Sequence, residues 1–441
     1  MLPGLDAERI EVATPRDAAG VEGSPRLRRA NRDQILLEPC ELDRLIPDDH
    51  EVRTLWAVVE RMDLSAFYEE IQARGSAPGR SATDPKILIA VWLYATKNGV
   101  GSGREVERLC GHHAAYRWLR GGVELNYHTL NDFRVAHGDK LDQLFTDVLA
   151  CLVHQGVVTV ERISQDGTRV RASAGSSSFR RRATLEALRG ELRQHVETVR
   201  KRLEDPACDA SQRQRAAKAR AARERQERVE EALKELAKLE EAKAKQKAKP
   251  SKNSPPRAST TDPQARVMKM PGGGYGPGYN IQYAGHVASR AIVGVDVTNV
   301  GSDVQESELM RRQVEERTGK KVNEHLMDGG FVGLDSIERA ASDKVAVYAP
   351  VPEAKKPGQD PHAPRRGDGP GVSAWRCRMA TEEAQLIYRQ RASLSETINA
   401  DLKAWRGLRQ VRVRGLAKVR CIALWCALTY NILHFAGVLI G

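Results

Sequence analysis

A long charged segment divides the chain and limits the folds available to it. Between residues 180 and 250, 21 Lys and Arg stand against 13 Asp and Glu, so this segment holds eight of the twelve net positive charges. Its apolar residues recur every three or four positions, which predicts a charged helical hairpin that turns near Asp205. A solvated hairpin is the more common form of such a charge run, and a DNA clamp is the alternative. The fold must therefore accommodate a helical insertion and linker over residues 180–257.

Size and charge narrow the class of protein further. At 441 residues the chain exceeds one ordinary domain, and we expect two or three. Its 70 Lys and Arg against 58 Asp and Glu favour a polyanionic partner such as nucleic acid. Seven scattered cysteines without a CxxC pair, and an N-terminus without a secretory signal pattern, indicate the cytoplasm. Residues 421–440 resemble a membrane span in their apolar content, but the polar residues among them favour a buried core helix and no membrane association.

The region before the charged segment has a helical pattern. Residues 1–33 lack periodicity and predict a flexible arm, whereas residues 34–158 predict an all-α domain. We expect a final helix that opens at His128 or Thr129 to carry Asn131, Arg134 and Lys140 outward, toward DNA. A helix-turn-helix DNA-binding domain and an ordinary helical dimerisation domain fit this spacing equally well.

Residues 159–441 alternate between strand and helix patterns, which predicts an α/β domain. The predicted strands are VERISQDGTRVRASAG before the insertion and GYNIQYAGHV, RAIVGVDVTN, EHLMDGG and VAVYAPV after it. Predicted helices over 302–319 and 334–341 separate the later strands. A long helix over 382–406, capped by Thr381 and stopped at Gly407, follows the last one.

Three acidic residues stand at the ends or centres of these elements. Asp166 lies on the first predicted strand, Asp328 ends a later strand before two glycines, and Glu396 lies on the long helix. Phosphodiester cleavage uses hard cations such as Mg²⁺, and carboxylates are the ligands that such ions prefer. Three acids at one sheet edge would suit two ions about 3.5–4 Å apart. Without further context, the two aspartates fit ordinary turn residues equally well.

Several sequence blocks, taken in their order, give the chain a specific resemblance. It resembles the DDE transposases of bacterial insertion sequences, which have a ribonuclease-H-like catalytic core behind an N-terminal helical domain. The resemblance covers nearly everything from Gln34 to His434. The matching blocks include QILLEPCELDRLIPDDHEVR, ATDPKILIAVWLYA, ISQDGTRVRASAG, STTDPQARVMK, GYNIQYAGH, HLMDGGF, YRQRASLSETINADLK and RGLRQVRVRGLAKVRCIALWCALTYNI.

The resemblance assigns the catalytic, metal-binding triad to Asp166, Asp328 and Glu396. In this family the first aspartate lies on the first core strand, the second follows the fourth strand, and the glutamate lies on a helix after the fifth. Two Mg²⁺ ions, with Mn²⁺ as a substitute, are the implied cofactors. The resemblance thus implies a transposase that binds terminal inverted repeats of double-stranded DNA, cleaves there, and transfers the strand into target DNA. A cytoplasmic, nucleoid-associated homodimer in a synaptic complex is the implied assembly.

The glutamate helix also carries the family's Tyr-Arg-Glu-Lys signature, with Tyr388, Arg391 and Lys403 beside Glu396 as implied DNA contacts. Arg391 stands five residues before Glu396, one more than in the form typical of the wider group. Steps of seven return to within roughly 20° on a helix, so Arg389 shares a face with Glu396 and Lys403 and is an alternative phosphate contact.

Two other functions remain open from the sequence. A transposase-derived protein that binds DNA without catalysis is one, and a ribonuclease-H-like nuclease that cuts without joining is the other. Trp375 and Trp405 are candidates for stacking on an unpaired base, although packing in the core is the more common role.

Overall fold

The computed structural model describes residues 41–75, 81–204, 211–245, 255–354 and 358–441. The predicted arm over residues 1–33 lies outside these ranges, as do Cys40 and Cys208. The other five cysteines are free thiols.

Seven α-helices are found in the described residues before the first strand. Their N-terminal caps follow from the sequence: the Asp84 side chain accepts a hydrogen bond from Lys86 N at 2.9 Å, with Pro85 in the first helical position. Asn126 caps a later helix in the same way, through Thr129 N at 2.9 Å. The helices are α1 (Glu51–Arg61), α2 (Ser65–Glu69), α3 (Pro85–Lys97), α4 (Gly103–His112), α5 (Ala114–Arg120), α6 (Tyr127–Ala136) and α7 (Gly138–His154).

The expectation that Arg134 points outward is wrong. This side chain on α6 is only 8% exposed. Its guanidinium lies 4.5 Å from the centre of the Trp92 ring and donates to Gly101 O at 2.7 Å. Arg134 therefore holds the helices together. Lys140, on α7, is partly exposed and forms an ion pair with Glu70 at 2.6 Å.

The rest of the chain supplies strands and helices in alternation, which confirms the predicted mixed α/β class. The strands are β1 (Arg162–Arg171), β2 (Phe179–Arg180), β3 (Ala258–Ser259), β4 (Arg266–Lys269), β5 (Tyr275–His286), β6 (Ile292–Thr298), β7 (Glu324–Leu326) and β8 (Ala346–Tyr348). The helices are α8 (Arg182–Glu204), α9 (Gln212–Lys245), α10 (Glu306–Thr318), α11 (Leu334–Ser342), α12 (Pro370–Met379), α13 (Glu382–Ala404) and α14 (Leu416–Ile440).

Strand β1 lies at the centre of a mixed sheet. It pairs antiparallel with β5 on one side and parallel with β7 on the other, and β7 pairs parallel with β8. Strand β5 also pairs antiparallel with β4 and β6 along different parts of its length. Strand β7 ends at Leu326, opposite Ser164, whereas β1 continues to Arg171, so the residues that follow β7 lie beside the middle of β1.

The charged segment forms the two long helices α8 and α9. Apolar residues of both helices bury a small core, separate from that of the sheet: Leu185, Leu192, Val229, Ala232, Leu233 and Leu236. The short strands β2 and β3 pair antiparallel where the chain leaves and re-enters the domain. The buried Glu235 forms an ion pair with Arg266 of β4 and attaches α9 to the main sheet.

Helix α14 connects the N-terminal helices with the sheet. It is long and apolar enough to cross a membrane, but most of its apolar stretch is buried inside the protein, in agreement with the expected core helix. Trp425 Nε1 donates to Arg134 O of α6 at 3.0 Å. On the other side, the buried Asn431 bonds both the N–H and the carbonyl of Ile292 on β6, at 2.9 and 2.8 Å.

Candidate active site

The pairing of β1 with β7 positions the two predicted aspartates side by side. Ser164 on β1 stands opposite Leu326 on β7, so the same parallel register brings Asp166 and Asp328 to equivalent positions two residues further along. Asp328 begins a short 3-10 turn, and its Oδ1 accepts a hydrogen bond from Gly330 N at 2.8 Å. The fold thus presents both carboxylates at one edge of the sheet.

Asp166 lies in an environment that disfavours its charge. Burial raises the pKa of Asp166 to about 6, and the nearby negative charges of Asp328 and Asp303 act in the same direction, against the opposing charge of Arg391. The side chain is 24% exposed, so solvent and substrate reach it. A strongly shifted carboxyl group at the open edge of a sheet is typical of a functional site.

Asp303 is a third carboxylate at this edge, and the sequence analysis missed it. It lies in the loop after β6, is 12% exposed, and accepts hydrogen bonds from Asn280 Nδ2 at 2.6 Å and Gln282 Nε2 at 2.7 Å. A Cβ atom at Gly330 would lie 3.0 Å from Asp328 Oδ1 and 3.5 Å from Asp303 Oδ2. The two carboxylates therefore border the same small space.

Gly167 is required by this close packing. A Cβ atom at that position would lie 2.8 Å from Asp303 Oδ1 and 2.5 Å from Gln282 Nε2, closer than real side chains approach. The Asp-Gly pair at residues 166–167 thus places one carboxylate on the strand and leaves room beside it for the other.

Helix α13 lies against β1 in a fixed orientation. Its buried Ser395 Oγ is 3.2 Å from Ser164 Oγ of β1. Leu394 and Ile398 pack over Gly285 of β5, where any side chain would collide with them. Because these residues face the sheet, Asn399 comes next to the candidate site, and its Nδ2 donates to Asp166 Oδ2 at 2.8 Å.

Glu396 is not brought together with the two aspartates. Its side chain is exposed, and within the described part of the chain it forms neither a hydrogen bond nor an ion pair. The described residues also contain no group of three or more His, Cys, Asp or Glu side chains close enough to hold a metal ion. The aspartates are preorganised by the sheet, whereas the glutamate stands on the neighbouring helix surface.

The basic residues of the same helix divide into two groups. Arg391 Nη1 lies 3.7 Å from Asp166 Oδ1, and its guanidinium is 5.9 Å from the centre of the Tyr388 ring. Lys403 is half-buried; burial lowers its pKa, and the charge of Asp166 opposes that shift. Arg389 is exposed and has no ion-pair partner among the described residues. Of the two candidate arginines, the structure thus places Arg391 at the aspartates.

The donor atoms at this edge fit a hard divalent cation. Asp166 and Asp328 offer carboxylate oxygens, the ligand type that Mg²⁺ prefers. The raised pKa of Asp166 reflects burial and repulsion from neighbouring carboxylates, and a bound cation would relieve that repulsion. The fit extends to the two aspartates, with Asp303 behind them, and it does not include Glu396 in this conformation.

Comparison with known proteins finds two family models that match the chain. Residues 40–136 match the family model described as a transposase domain (DUF772), and residues 372–436 match a transposase DDE domain. These two matches support a DDE transposase of the insertion-sequence type. No curated protein and no solved structure matches this transposase.

The two matched ranges cover different parts of the transposase. The first spans helices α1 to α6, and the second contains α12, α13 and most of α14, including Glu396, Arg391 and Lys403. Asp166 and Asp328 lie outside both ranges. The strand register and the geometry around these aspartates are therefore independent of the match.

Proposed function

We propose that this transposase binds the terminal inverted repeats of its element, cleaves the DNA strand there, and joins the freed end to target DNA. The observation that carries this proposal is the juxtaposition of Asp166, in the middle of β1, with Asp328, just beyond the end of the parallel strand β7, with Arg391 and Asn399 in contact with Asp166. The strand order around β1 supports a ribonuclease-H-like catalytic domain behind a helical DNA-binding domain.

The proposed chemistry is an in-line displacement at phosphorus, carried out twice. In the first step a water oxygen attacks the phosphodiester at the element's end, and the 3′-oxygen leaves and takes up a proton. In the second step that 3′-hydroxyl attacks a target phosphodiester, gives up its proton, and displaces another 3′-oxygen. Mg²⁺, or Mn²⁺ as a substitute, when bound would neutralise charge on the phosphate oxygens and lower the pKa of the attacking hydroxyl or water.

The residues of the chain have separate tasks in this scheme. Asp166 and Asp328 hold the cation, and Glu396 completes the set of ligands that the family signature implies. Asn399 fixes Oδ2 of Asp166 by its hydrogen bond, and Arg391 Nη1 lies 3.7 Å from Oδ1, so a cation bound at Oδ1 would share that oxygen with the arginine. Arg391 lies close enough to Asp166 to bind a nonbridging phosphate oxygen beside the cation.

Partners and location follow from the reaction. Both ends of an element have to be held together before joining, so we propose a homodimer in a synaptic complex with double-stranded DNA. We also propose that the protein is located in the cytoplasm, in association with the nucleoid.

The test is cleavage of the element's own ends. Purified transposase is incubated with Mg²⁺ and a duplex that carries the inverted repeats flanking its gene, and the products are mapped to single nucleotides. We expect cuts at the repeat boundary and, with added target DNA, strand-transfer products. Asp166→Asn is expected to give neither product while still binding the repeat.

Glu383→Gln is the matched control, because Glu383 is an exposed carboxylate at the start of the same helix α13. Cuts scattered over random DNA without joined products would identify a nuclease and overturn the proposal. Repeat binding without cleavage by the wild-type protein would identify a DNA-binding protein that lacks catalysis.

A further inference from the structure

A strip of basic residues follows α13 and starts beside the candidate active site. We call Arg409, Arg412, Arg414 and Lys418 the basic strip; all four are exposed. The backbone between them is held to the end of β1, because Arg171 N donates to Arg409 O at 3.1 Å and Val411 N donates to Arg171 O at 2.9 Å.

Alternation of buried and exposed side chains turns the arginines outward. Leu408 and Val411 are 1% and 2% exposed and anchor the segment in the core. The arginines that follow each anchor face solvent. The orientation of the basic strip is thus set by the same core that supports the catalytic sheet.

The first residue of the strip is electrostatically connected with the site. The positive charge of Arg409 acts on Lys403, which in turn feels the charge of Asp166. A phosphate group held between Lys403 and Arg409 would therefore be a neighbour of the phosphate at Asp166.

The far end of the strip opens into a cleft against the N-terminal helices. This cleft of about 530 Å³ lies between Arg412, Arg414 and Lys418 on one side and the start of α4 with one face of α6 on the other. Across it stands Arg104, whose guanidinium is 4.8 Å from the centre of the Tyr127 ring. One acidic residue, Asp132, also lines the cleft.

In the part of the chain that the structure describes, these positive charges have no carboxylate partners. Within the described residues, neither the four members of the basic strip nor Arg104 forms an ion pair, in contrast to many basic residues elsewhere in the chain. The charge of Asp262 acts on Arg414, but the Asp262 carboxylate bonds Tyr279 OH at 2.7 Å and forms no ion pair with the arginine. Like charges within about 10 Å repel one another at moderate salt, so an external polyanion would stabilise this surface.

We propose that the basic strip and the cleft bind the phosphate backbone of the DNA that leads away from the scissile phosphate. The five residue-to-residue steps from Arg409 to Arg414 span at most about 18 Å, which corresponds to roughly five base pairs of rise along one strand. The strip contacts phosphate groups and not bases, so it binds duplex DNA of any sequence. It guides the strand from Asp166 toward α4 and α6. This inference rests on the proposed function, because it takes DNA as the substrate of the site.

The test compares two triple variants of equal charge loss. The first replaces Arg409, Arg412 and Arg414 with Gln. The control replaces Arg220, Arg223 and Arg225 of α9 with Gln, and these three arginines are likewise exposed and without ion-pair partners among the described residues. Both sets are placed in the full-length Asp166→Asn protein, so that binding is measured without cleavage, on a repeat-bearing duplex and on a scrambled duplex of the same length.

We expect the strip variant to bind both duplexes more weakly. Each lost phosphate contact lowers the slope of log affinity against log salt by about 0.9, so the slope should fall by about 2–3 between roughly 50 and 200 mM salt. The control variant should retain the slope of the parent. Melting temperatures should agree among all three proteins because the replaced side chains are exposed. If the triple variant unfolds, the single variant Arg412→Gln takes its place, with an expected loss of slope near 0.9.

Two results overturn the inference. An unchanged slope in the strip variant would remove the strip from the DNA path, and an equal fall in the control would show that the strip contributes no more to DNA binding than the charged hairpin does. Failure of the proposed function is recognised separately, as the absence of end cleavage by the wild-type protein.

Discussion

The aspartates of the sheet and the glutamate of the neighbouring helix differ in how firmly the protein holds them. Asp166 lies on β1 and Asp328 follows the adjacent strand β7, and both are restrained by hydrogen bonds, from Asn399 Nδ2 and Gly330 N respectively. Glu396 lies on the exposed side of α13 and has no such restraint among the described residues. Strand pairing therefore preorganises two of the three carboxylates that the family signature implies.

This contrast shows which carboxylates of the site are already in position before the substrate binds. Placing repelling carboxylates together costs stability, and the sheet core offsets that cost. A flexible glutamate avoids the cost until a cation and DNA are present. The ligand-free protein would thus hold a two-aspartate site, to which Glu396 is added on engagement. Asp303, behind the aspartates, is the alternative third carboxylate.

Loss of cleavage is the largest effect that we expect. Asp166→Asn, Asp328→Asn and Glu396→Gln should each lower the cleavage rate by about 1000-fold or more, since several kcal/mol of stabilisation come from the bound cation. Pairs of these changes should not multiply, because the residues act as one unit. Single-turnover cleavage of a repeat-bearing duplex measures the rates. Normal cleavage by Glu396→Gln, together with inactivity of Asp303→Asn, would break the comparison and assign the third carboxylate to Asp303.

The second-largest effect that we expect is a difference between Asp166 and Glu396 in how each affects the pH dependence of stability. The pKa of Asp166 is raised from 3.8 to about 6 on folding, so its ionisation penalises the folded state increasingly from pH 4 to pH 6 and fully above that. In the absence of divalent cations, Asp166→Asn should therefore gain stability over the wild type across this window, by up to roughly 3 kcal/mol.

Denaturant unfolding at several pH values measures this gain. Glu396→Gln, an exposed carboxylate on the adjacent helix, is the control and should run parallel to the wild type. A constant difference between Asp166→Asn and the wild type from pH 4 to pH 7 would contradict the raised pKa.

Stabilisation of the fold by a divalent cation should depend on Asp166 and Asp328 and not on Glu396. With Mg²⁺ or Mn²⁺ at about 100 times its dissociation constant, the wild type should gain roughly 2.7 kcal/mol of unfolding free energy. Asp166→Asn and Asp328→Asn should lose most of this gain, and Glu396→Gln should retain most of it in the absence of DNA. Thermal melting with the cation or with EDTA measures it; equal loss in all three variants would show that the glutamate already belongs to the ligand-free site.

The smallest effect concerns the basic residues of α13. Lys403→Ala and Arg391→Ala should slow cleavage by about tenfold, or about 1.4 kcal/mol, with partial recovery at low ionic strength because phosphate contacts are salt sensitive. Arg389→Ala, an exposed arginine on the same helix, should cleave like the wild type. A larger defect in Arg389→Ala than in Arg391→Ala would show that the face shared with Glu396, and not proximity to Asp166, determines function.

Local sequence rules predicted many of the elements. Thr381 caps α13 through Ala384 N at 3.2 Å as expected, and α13 ends at Ala404, three residues before the predicted stop at Gly407. The predicted strand carrying Asp166 is β1, and Asp328 follows β7 as expected. Caps, glycine stops and strand patterns act over a few residues, so the sequence alone is sufficient to find them.

Features that depend on distant partners were missed. The burial of Arg134 depends on Trp92 and on Gly101 O, and no local pattern shows either contact. Asp303 is one acid in a loop, and only the pairing of β5 with β6 brings it beside Gly167.

The two tryptophans show the same division between local pattern and tertiary context. Trp375 is buried, as the more common role predicted, whereas Trp405 is 67% exposed at the end of α13. The rotation of α13 decides which of its residues face solvent, and that rotation is fixed by contacts with Ser164 and Gly285.

The position of α14 has a consequence for how this protein is made. The N-terminal helices pack on the last helix of the chain: Trp425 donates to Arg134 O, and Arg420 forms an ion pair with Asp142 of α7 at 2.7 Å. At about 5–20 residues per second, synthesis of the roughly 260 residues between α7 and α14 takes on the order of 10–50 s. During that time the N-terminal helices lack their contacts with α14, and their core is completed only after α14 has been synthesised.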